Sequence, residues 1–159
     1  NDIVLWSVWD SDDIVQQYMP EPRVILSEVE QLEYFQECIQ AEDEVHATII
    51  ENTTGYVIGT ISLTEMNNYH GIGEFGLVMG NTQVWGRGYA TEAIHLFLSY
   101  IRSNTTIVRI TAEHDSENIG ILKALEKAGF ITECVCRASR VREGKRVDTV
   151  RCVKMTHAL

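Results

Sequence analysis

Between a strand-like run, Phe75 to Met79, and a helix-like run from Thr91 lies Gln83-Val84-Trp85-Gly86-Arg87-Gly88-Tyr89-Ala90. Gly86 and Gly88 carry no Cβ, so the backbone can take left-handed angles and turn successive N–H groups toward one point. The following helix adds its free N-terminal donors and the positive end of its dipole, worth about 0.3–1 kcal/mol per charge in exposed settings. Arg87 adds a full charge. The stretch therefore reads as an anion cradle, suited to phosphate. Glycine is favoured in any strand-to-helix turn, so the residues that follow carry weight. Thr91-Glu92-Ala93-Ile94 opens a helix with an acid in its first turn, and Ala90, Ile94, Phe97, Leu98 and Ile101 recur at helical spacing. A P-loop would end in Gly-Lys-Ser/Thr, whereas this turn ends Gly88-Tyr89-Ala90. A literal G-x-G-x-x-G at Gly71 to Gly76 runs into a strand instead of opening a helix, which argues against a dinucleotide fingerprint.

The other elements follow from periodicity. Asp10 to Tyr18 reads as a short helix or turn that Met19-Pro20-Glu21-Pro22 breaks. Ser27 with Glu30 forms a capping box, and Val29, Leu32, Phe35 and Ile39 give a helical stripe, predicting a helix from Ser27 to Ala41. Val45 to Ile50 and Tyr56 to Leu63 form an antiparallel hairpin about the turn Asn52-Thr53-Thr54-Gly55. Asn67 to Gly73 is a loop, Glu74 to Met79 a strand, and the helix after the glycine turn runs to about Arg102. Val108, Ile110 and Ala112 alternate as a half-buried strand. Asn118 to Ala128 is a second long helix closed by Gly129, and Ile131 to Val141 and Val147 to Met155 are strands joined near Glu143-Gly144-Lys145. The expected architecture is α/β (α+β): a mixed, mostly antiparallel sheet flanked by helices.

At 159 residues, 45% hydrophobic and with two prolines, the chain suits one domain spanning 1–159. No apolar run or charged leader suggests a membrane, and a cytoplasmic location is expected. Cys134 and Cys136 alternate as strand residues do, and no histidine pair has a ligand spacing, so reduced thiols and no metal are expected. The net charge is −10, which disfavours nucleic acid as a partner. It is unevenly spread: residues 1–76 hold fifteen acids against one base, Arg23, while residues 77–159 hold eight acids against twelve bases. Solvated helix faces are the plain explanation for such runs.

Gln83-x-x-Gly86-x-Gly88-x-Ala90, with Asn118 and then Leu125-Glu126-Lys127-Ala128-Gly129-Phe130 downstream, resembles the acetyl-CoA signature of the GNAT N-acetyltransferases. Tyr89-Ala90-Thr91-Glu92-Ala93 resembles the branch holding the ribosomal-protein alanine and spermidine N-acetyltransferases. The resemblance implies a GNAT-like sheet with a splayed parallel strand pair at the acyl-CoA site, and acetyl-CoA as co-substrate. The acceptor it implies is a small-molecule or peptide primary amine, in a monomer or homodimer. It further implies that the family's first strand is missing ahead of Leu5. In that family the first half of the chain supplies most of the acceptor side and the second half most of the CoA side, so acid would face a cationic amine and base a polyphosphate.

Acetyl transfer needs a neutral amine, donors for the developing oxyanion and a proton for the departing thiolate. By resemblance, Leu77, Val78 and Met79 pair with pantetheine, and the N–H of Met79 or Val78 holds the thioester oxygen. One residue more than in the spermidine enzymes separates this strand from the glycines. Gln83, Val84, Trp85, Gly86, Arg87, Gly88, Tyr89, Ala90 and Thr91 form the pyrophosphate turn, Trp85 and Tyr89 flanking the phosphate or filling core. Glu74 is the expected base, with Glu113, His114 and Asp115 in reserve. Asn118 either binds CoA or caps its helix. Ile121 stands where the ribosomal branch often has serine, and Lys123 and Lys127 lie one turn apart toward the adenosine phosphate. Leu125 occupies the position of the family's acid tyrosine and cannot donate a proton. Water, Tyr69 or Tyr89 must do so, or the chain is a non-catalytic acyl-CoA-binding or sensing domain. An acidic interaction module with a vestigial loop is the third reading.

Overall fold

Two strands that run side by side for three residues and then part form the centre of the fold. The computed structural model describes residues 2–19 and 26–156. The expected break at Pro20 and Pro22, and Arg23, lie outside the described residues. Helix α1 is Asp2–Ser11, α2 Asp13–Gln16 and α3 Glu28–Gln40. Strands β1 (Val45–Ile50), β2 (Val57–Asn67) and β3 (Ile72–Val78) follow, then a 3-10 turn at Thr82–Val84 and helix α4, Tyr89–Asn104. Strand β4 (Arg109–Asp115), helix α5 (Ile119–Lys127) and strands β5 (Ile131–Arg142) and β6 (Lys145–Met155) complete the chain. The sheet order is β1-β2-β3-β4-β6-β5. Among the described residues only β3 and β4 run parallel, through Ile72↔Arg109, Gly73↔Ile110 and Glu74↔Thr111. The result is the mixed, mostly antiparallel sheet that the sequence predicts.

Local chemistry explains where the elements start. Ser27 Oγ accepts the Glu30 N–H at 3.3 Å while Glu30 accepts the Ser27 N–H at 2.7 Å, a reciprocal cap worth about 0.5–2 kcal/mol. Asp12 accepts the Ile14 N–H at 2.8 Å and so restarts the chain after α1. No strand precedes β1 among the described residues, and β1 forms one edge of the sheet. Some boundaries differ from those expected. β2 runs beyond Leu63 to Asn67 because a bulge between Thr64 and Asn67, with Glu65 at φ 51, lets the ladder with β3 continue. α4 begins at Tyr89, two residues before Thr91, because Gly88 already serves as its N-cap in a left-handed conformation.

The core lies between the sheet and the α4/α5 pair. Ile61 and Leu63 of β2, Phe75 of β3, Ile110 of β4, Ile94 and Ile101 of α4 and Leu125 of α5 are all buried there. Phe75 packs against Phe97 and Phe130, with ring centroids 6.3 and 5.7 Å away, and burial of each such side chain stabilises by about 1.5–3 kcal/mol. On the opposite face α1 and α3 cover the β1–β3 half. Trp9 of α1 is buried over Gly80, where a Cβ would come within 1.9 Å of the indole. Among the described residues no helix lies over the β4–β6–β5 half of that face, and β5 is largely exposed. No helix of the described residues is long and apolar enough to cross a membrane.

Candidate active site

Past Glu74 the ladder between β3 and β4 stops, although β3 continues on β2 through Thr60↔Val78 and β4 continues on β6 through Asp115↔Thr149. Each strand keeps its outer partner, so the two diverge and leave the inward backbone of Phe75 to Val78 without a β4 ladder. An extended amide chain could occupy this opening and meet those groups as a strand would. The cleft formed lies alongside Leu77 and Val78, with Met79 and Gly80 leading out of it to the glycine turn.

Asn81 begins that turn, its Oδ1 accepting the Gln83 N–H at 3.0 Å. A 3-10 turn at Thr82–Val84 lies between β3 and the glycines. Val84 is buried, whereas Trp85 is 41% exposed and donates its indole N–H to Met79 O at 2.8 Å. Trp85 is thus a strut joining the turn to β3, not core. Gly86 and Gly88 lie at φ +74 and +92, and no atom lies within 4 Å of the position a Cβ would take in either. This is the open, left-handed backbone that an approaching phosphate needs. The first α4 hydrogen bond runs from the Glu92 N–H to Gly88 O at 3.1 Å, so Tyr89, Ala90 and Thr91 present first-turn N–H groups with no acceptor in the helix.

The Tyr89 hydroxyl donates to Glu51 at the end of β1, which holds its titration above that of an ordinary tyrosine. A groove lined by Gly88, Thr91, His95 and Lys127 continues from the turn. Lys127 therefore borders the glycine turn, while Lys123, one turn earlier on α5, is exposed and does not line the groove. The Asn118 side chain accepts the Ile121 N–H at 3.2 Å, so it caps α5, and Ile121 packs against the core.

Glu74 stands at the last parallel rung, where the strands part. Phe75, its neighbour, points into the core, so the Glu74 side chain points to the opposite face. Its pKa is raised, first by burial and then by the carboxylates of Glu65 and Glu113, against the pull of Arg151 and Arg140. The reserve bases are engaged otherwise. Glu113 is held by Arg140 and Arg151, each at 3.0 Å. Asp115 is 4% exposed, pairs with Arg142 at 2.5 Å and accepts the Glu117 N–H at 2.8 Å. His114 is buried on the core side, with Nδ1 2.8 Å from Asp115 O. Glu74 is the half-buried carboxylate at the splay without an ion pair among the described residues.

Two expectations need correction. Tyr69 is 92% exposed beside His70 in the β2–β3 loop. That loop opens β3, whereas the glycine turn follows its other end, and seven strand residues at about 3.3 Å each separate them; Tyr69 is therefore remote from Val78 and Met79, where the thioester is expected. The division of charge by halves is also incomplete. Arg140 and Arg151, both from the basic second half, sit on Glu113 beside Glu74. Sequence reasoning missed them, as it missed Glu65, because strand registers and a bulge bring these residues to Glu74.

A family model described as the acetyltransferase (GNAT) domain matches residues 1–131. The chain is 26% identical over 149 residues to an uncharacterized N-acetyltransferase, p20, of Bacillus licheniformis, covering 86% of this chain and 82% of that protein. Its fold is similar to the crystal structure of spermidine N-acetyltransferase from Vibrio cholerae in complex with CoA and spermine, with a TM-score of 0.88 at 21% identity over 98% of this chain and 90% of that one. The ribosomal-protein-S5-alanine acetyltransferase of Vibrio fischeri gives a TM-score of 0.84 at 16% identity, covering 98% and 88% of the two chains.

Proposed function

Because the chain belongs to the acetyltransferase (GNAT) family, we propose that it moves the acetyl group of acetyl-CoA to a primary amine, with Glu74 as base and a cationic acceptor. The observation that carries this reading is the position of Glu74: a half-buried carboxylate of raised pKa at the apex of the strand splay, where the glycine-turn path and the open sheet face meet. The similar Vibrio cholerae structure holds CoA and spermine, and its acceptor is named as spermidine.

In this reading pantetheine lies along Leu77, Val78 and Met79, and an N–H of Val78 or Met79 meets the thioester oxygen. The pyrophosphate rests on the amides from Gly86 to Thr91, with Arg87 and Lys127 supplying charge. Glu74 takes the ammonium proton, through water, and the neutral amine attacks the carbonyl carbon. The tetrahedral nitrogen gives up its second proton to solvent, the oxyanion collapses, the C–S bond breaks, and CoA departs as thiolate. Leu125 is wholly buried in the core and gives no proton, so solvent supplies it.

Around Glu74 the charges are three carboxylates, Glu65, Glu74 and Glu113, against Arg140 and Arg151. The two arginines, both paired with Glu113, offset two of the three carboxylates, which leaves a local excess of one negative charge for a cation. The test is a thiol-release assay with acetyl-CoA over spermidine, N-terminal peptides, aminoglycosides and amino acids. Turnover is expected on cationic amines, with a Michaelis constant that rises with salt as screening sets in over about 8 Å. A neutral or anionic acceptor preferred over every cation, without a salt effect, would overturn the acceptor assignment; no turnover on any amine would overturn the activity.

A further inference from the structure

Away from the acetyl-transfer cleft, the junction of α3 with β1 gathers three side chains of different chemistry. Cys38 lies in the last turn of α3 and is 8% exposed. Glu44 and His46 flank Val45, the first residue of β1, and so share one side of the chain. The Cys38 thiol, a Glu44 oxygen and an imidazole nitrogen of His46 all lie within 4.8 Å of one another. His46 Nε2 is 2.6 Å from Glu44 Oε2.

We propose that Cys38, Glu44 and His46 form a zinc-class metal site that ties α3 to the edge of the sheet. One sulfur, one imidazole and one carboxylate are the donor set of a borderline divalent ion, not of calcium or magnesium, which take oxygen. Zinc bonds of about 2.0–2.3 Å in a tetrahedron place ligand atoms roughly 3.3–3.8 Å apart. The His46–Glu44 contact of 2.6 Å must open by roughly an ångström, and the thiol, within 4.8 Å of its partners, must close by up to about 1.5 Å, movements on the scale of side-chain rotation. Three protein ligands leave the fourth position to water.

Two features of the surroundings support the assignment. Tyr34 lies one turn before Cys38 on the same face of α3, the placement of an outer partner that orients a metal ligand. Carboxylates dominate the local field: Glu44 and Glu37 act on Cys38, and Glu44 and Asp10 on Tyr34. A divalent cation is the charge this corner lacks. A plain His46–Glu44 ion pair would explain the 2.6 Å contact but would give no reason for a buried thiol to converge on it. The site is unreadable from spacing alone, since its ligands come from the end of a helix and the start of a strand.

The test uses the full chain with Cys134→Ser and Cys136→Ser, which removes the thiol pair on β5 whose sulfurs lie 3.9 Å apart and could themselves take a soft ion. After chelator treatment the protein is titrated with Co2+ and then Zn2+. One equivalent of Co2+ is expected to bind with a thiolate-to-cobalt absorption band, and Zn2+ to raise the melting temperature. Cys38→Ser should abolish the band and the thermal shift, and His46→Ala should weaken Zn2+ binding by at least about tenfold. The more exposed His46 variant keeps the test valid if Cys38→Ser fails to fold. Absence of saturable binding, or binding unchanged by His46→Ala, would overturn the proposal. Acetyl transfer is not a readout, so the result is independent of the proposed function.

Discussion

Gly88→Val tests the glycine turn most directly. Gly88 stands at φ +92 with nothing within 4 Å of its Cβ position, so the substitution meets no wall and its cost comes from the backbone. Holding an L-residue in the left-handed region costs about 1–2 kcal/mol, and a β-branched side chain is among the worst suited to it. If bound CoA requires that conformation, the strain is charged to binding, and at about 1.4 kcal/mol per factor of ten it removes roughly 5- to 30-fold in affinity. The two γ-methyls also enter the open space through which a phosphate would reach the amides, so the loss should exceed about tenfold. Calorimetry with CoA on the folded variant measures it. Gly144→Val is the control: that glycine is at φ +76 with equally open surroundings at the tip of the β5–β6 hairpin. It should lose a similar amount of stability and bind CoA normally. A folded Gly88→Val protein with the parent's CoA affinity would show that the turn is not the phosphate site.

Three further outcomes follow from the geometry. Glu74→Gln should leave CoA affinity unchanged and lower turnover by about 10²–10⁴-fold. Its melting temperature at neutral pH should not fall, because a carboxyl whose folded pKa is raised contributes stability only at low pH and loses it as pH rises through the folded value; a drop on melting would assign Glu74 a structural role. Glu113→Gln removes a charge that raises the Glu74 pKa and releases Arg140 and Arg151, which lower it, so the acidic limb of kcat/KM should move to lower pH; a limb that stays or rises would refute the coupling. Gly80→Ala places a Cβ 1.9 Å from the Trp9 ring and should destabilise the protein by about 1–3 kcal/mol in denaturant melts, whereas the same change in a Trp9→Ala background should cost little; equal costs in both backgrounds would show that the contact does not matter.

The parts of the fold legible in the sequence were those written in local pattern. The Ser27–Glu30 box, the stripe of α4 and the N-cap of Asn118 are short-range devices, and the structure has each in place. The glycine turn was legible because left-handed backbone demands glycine at fixed places. What was not legible depends on pairing between distant strands. Glu65 comes to Glu74 through a bulge, and Arg151 meets Glu113 because β6 runs antiparallel to β4 in one particular register. Slipping that register by one residue would turn Arg151 to the core side, and nothing local to residues 145–155 states which register is adopted. Lys123 and Lys127 share one helix face, and only the packing of α5 beside α4 decides that the second of them borders the turn.

The proposed solvent route for the thiolate proton carries a last consequence. Leu125 is wholly buried, Tyr69 is at the wrong end of β3, and Tyr89 donates to Glu51, whose acceptance holds the phenol proton more firmly than usual. None of the three tyrosine or tyrosine-equivalent positions offers a proton where a thiolate would depart. If solvent protonates the leaving thiolate, only the base titrates on the enzyme during turnover, and kcat should rise through the raised pKa of Glu74 and then stay level, without a descending limb. Replacing Leu125 with tyrosine would not restore an acid, because a ring in that fully occupied core position costs about 1–3 kcal/mol in overpacking and still faces apolar neighbours. The measurement is kcat against pH up to the onset of alkaline unfolding, for the parent and for Tyr89→Phe. A descending limb in the parent that vanishes in Tyr89→Phe would mean that Tyr89 leaves Glu51 when CoA binds and acts as the acid, and the solvent route would be wrong.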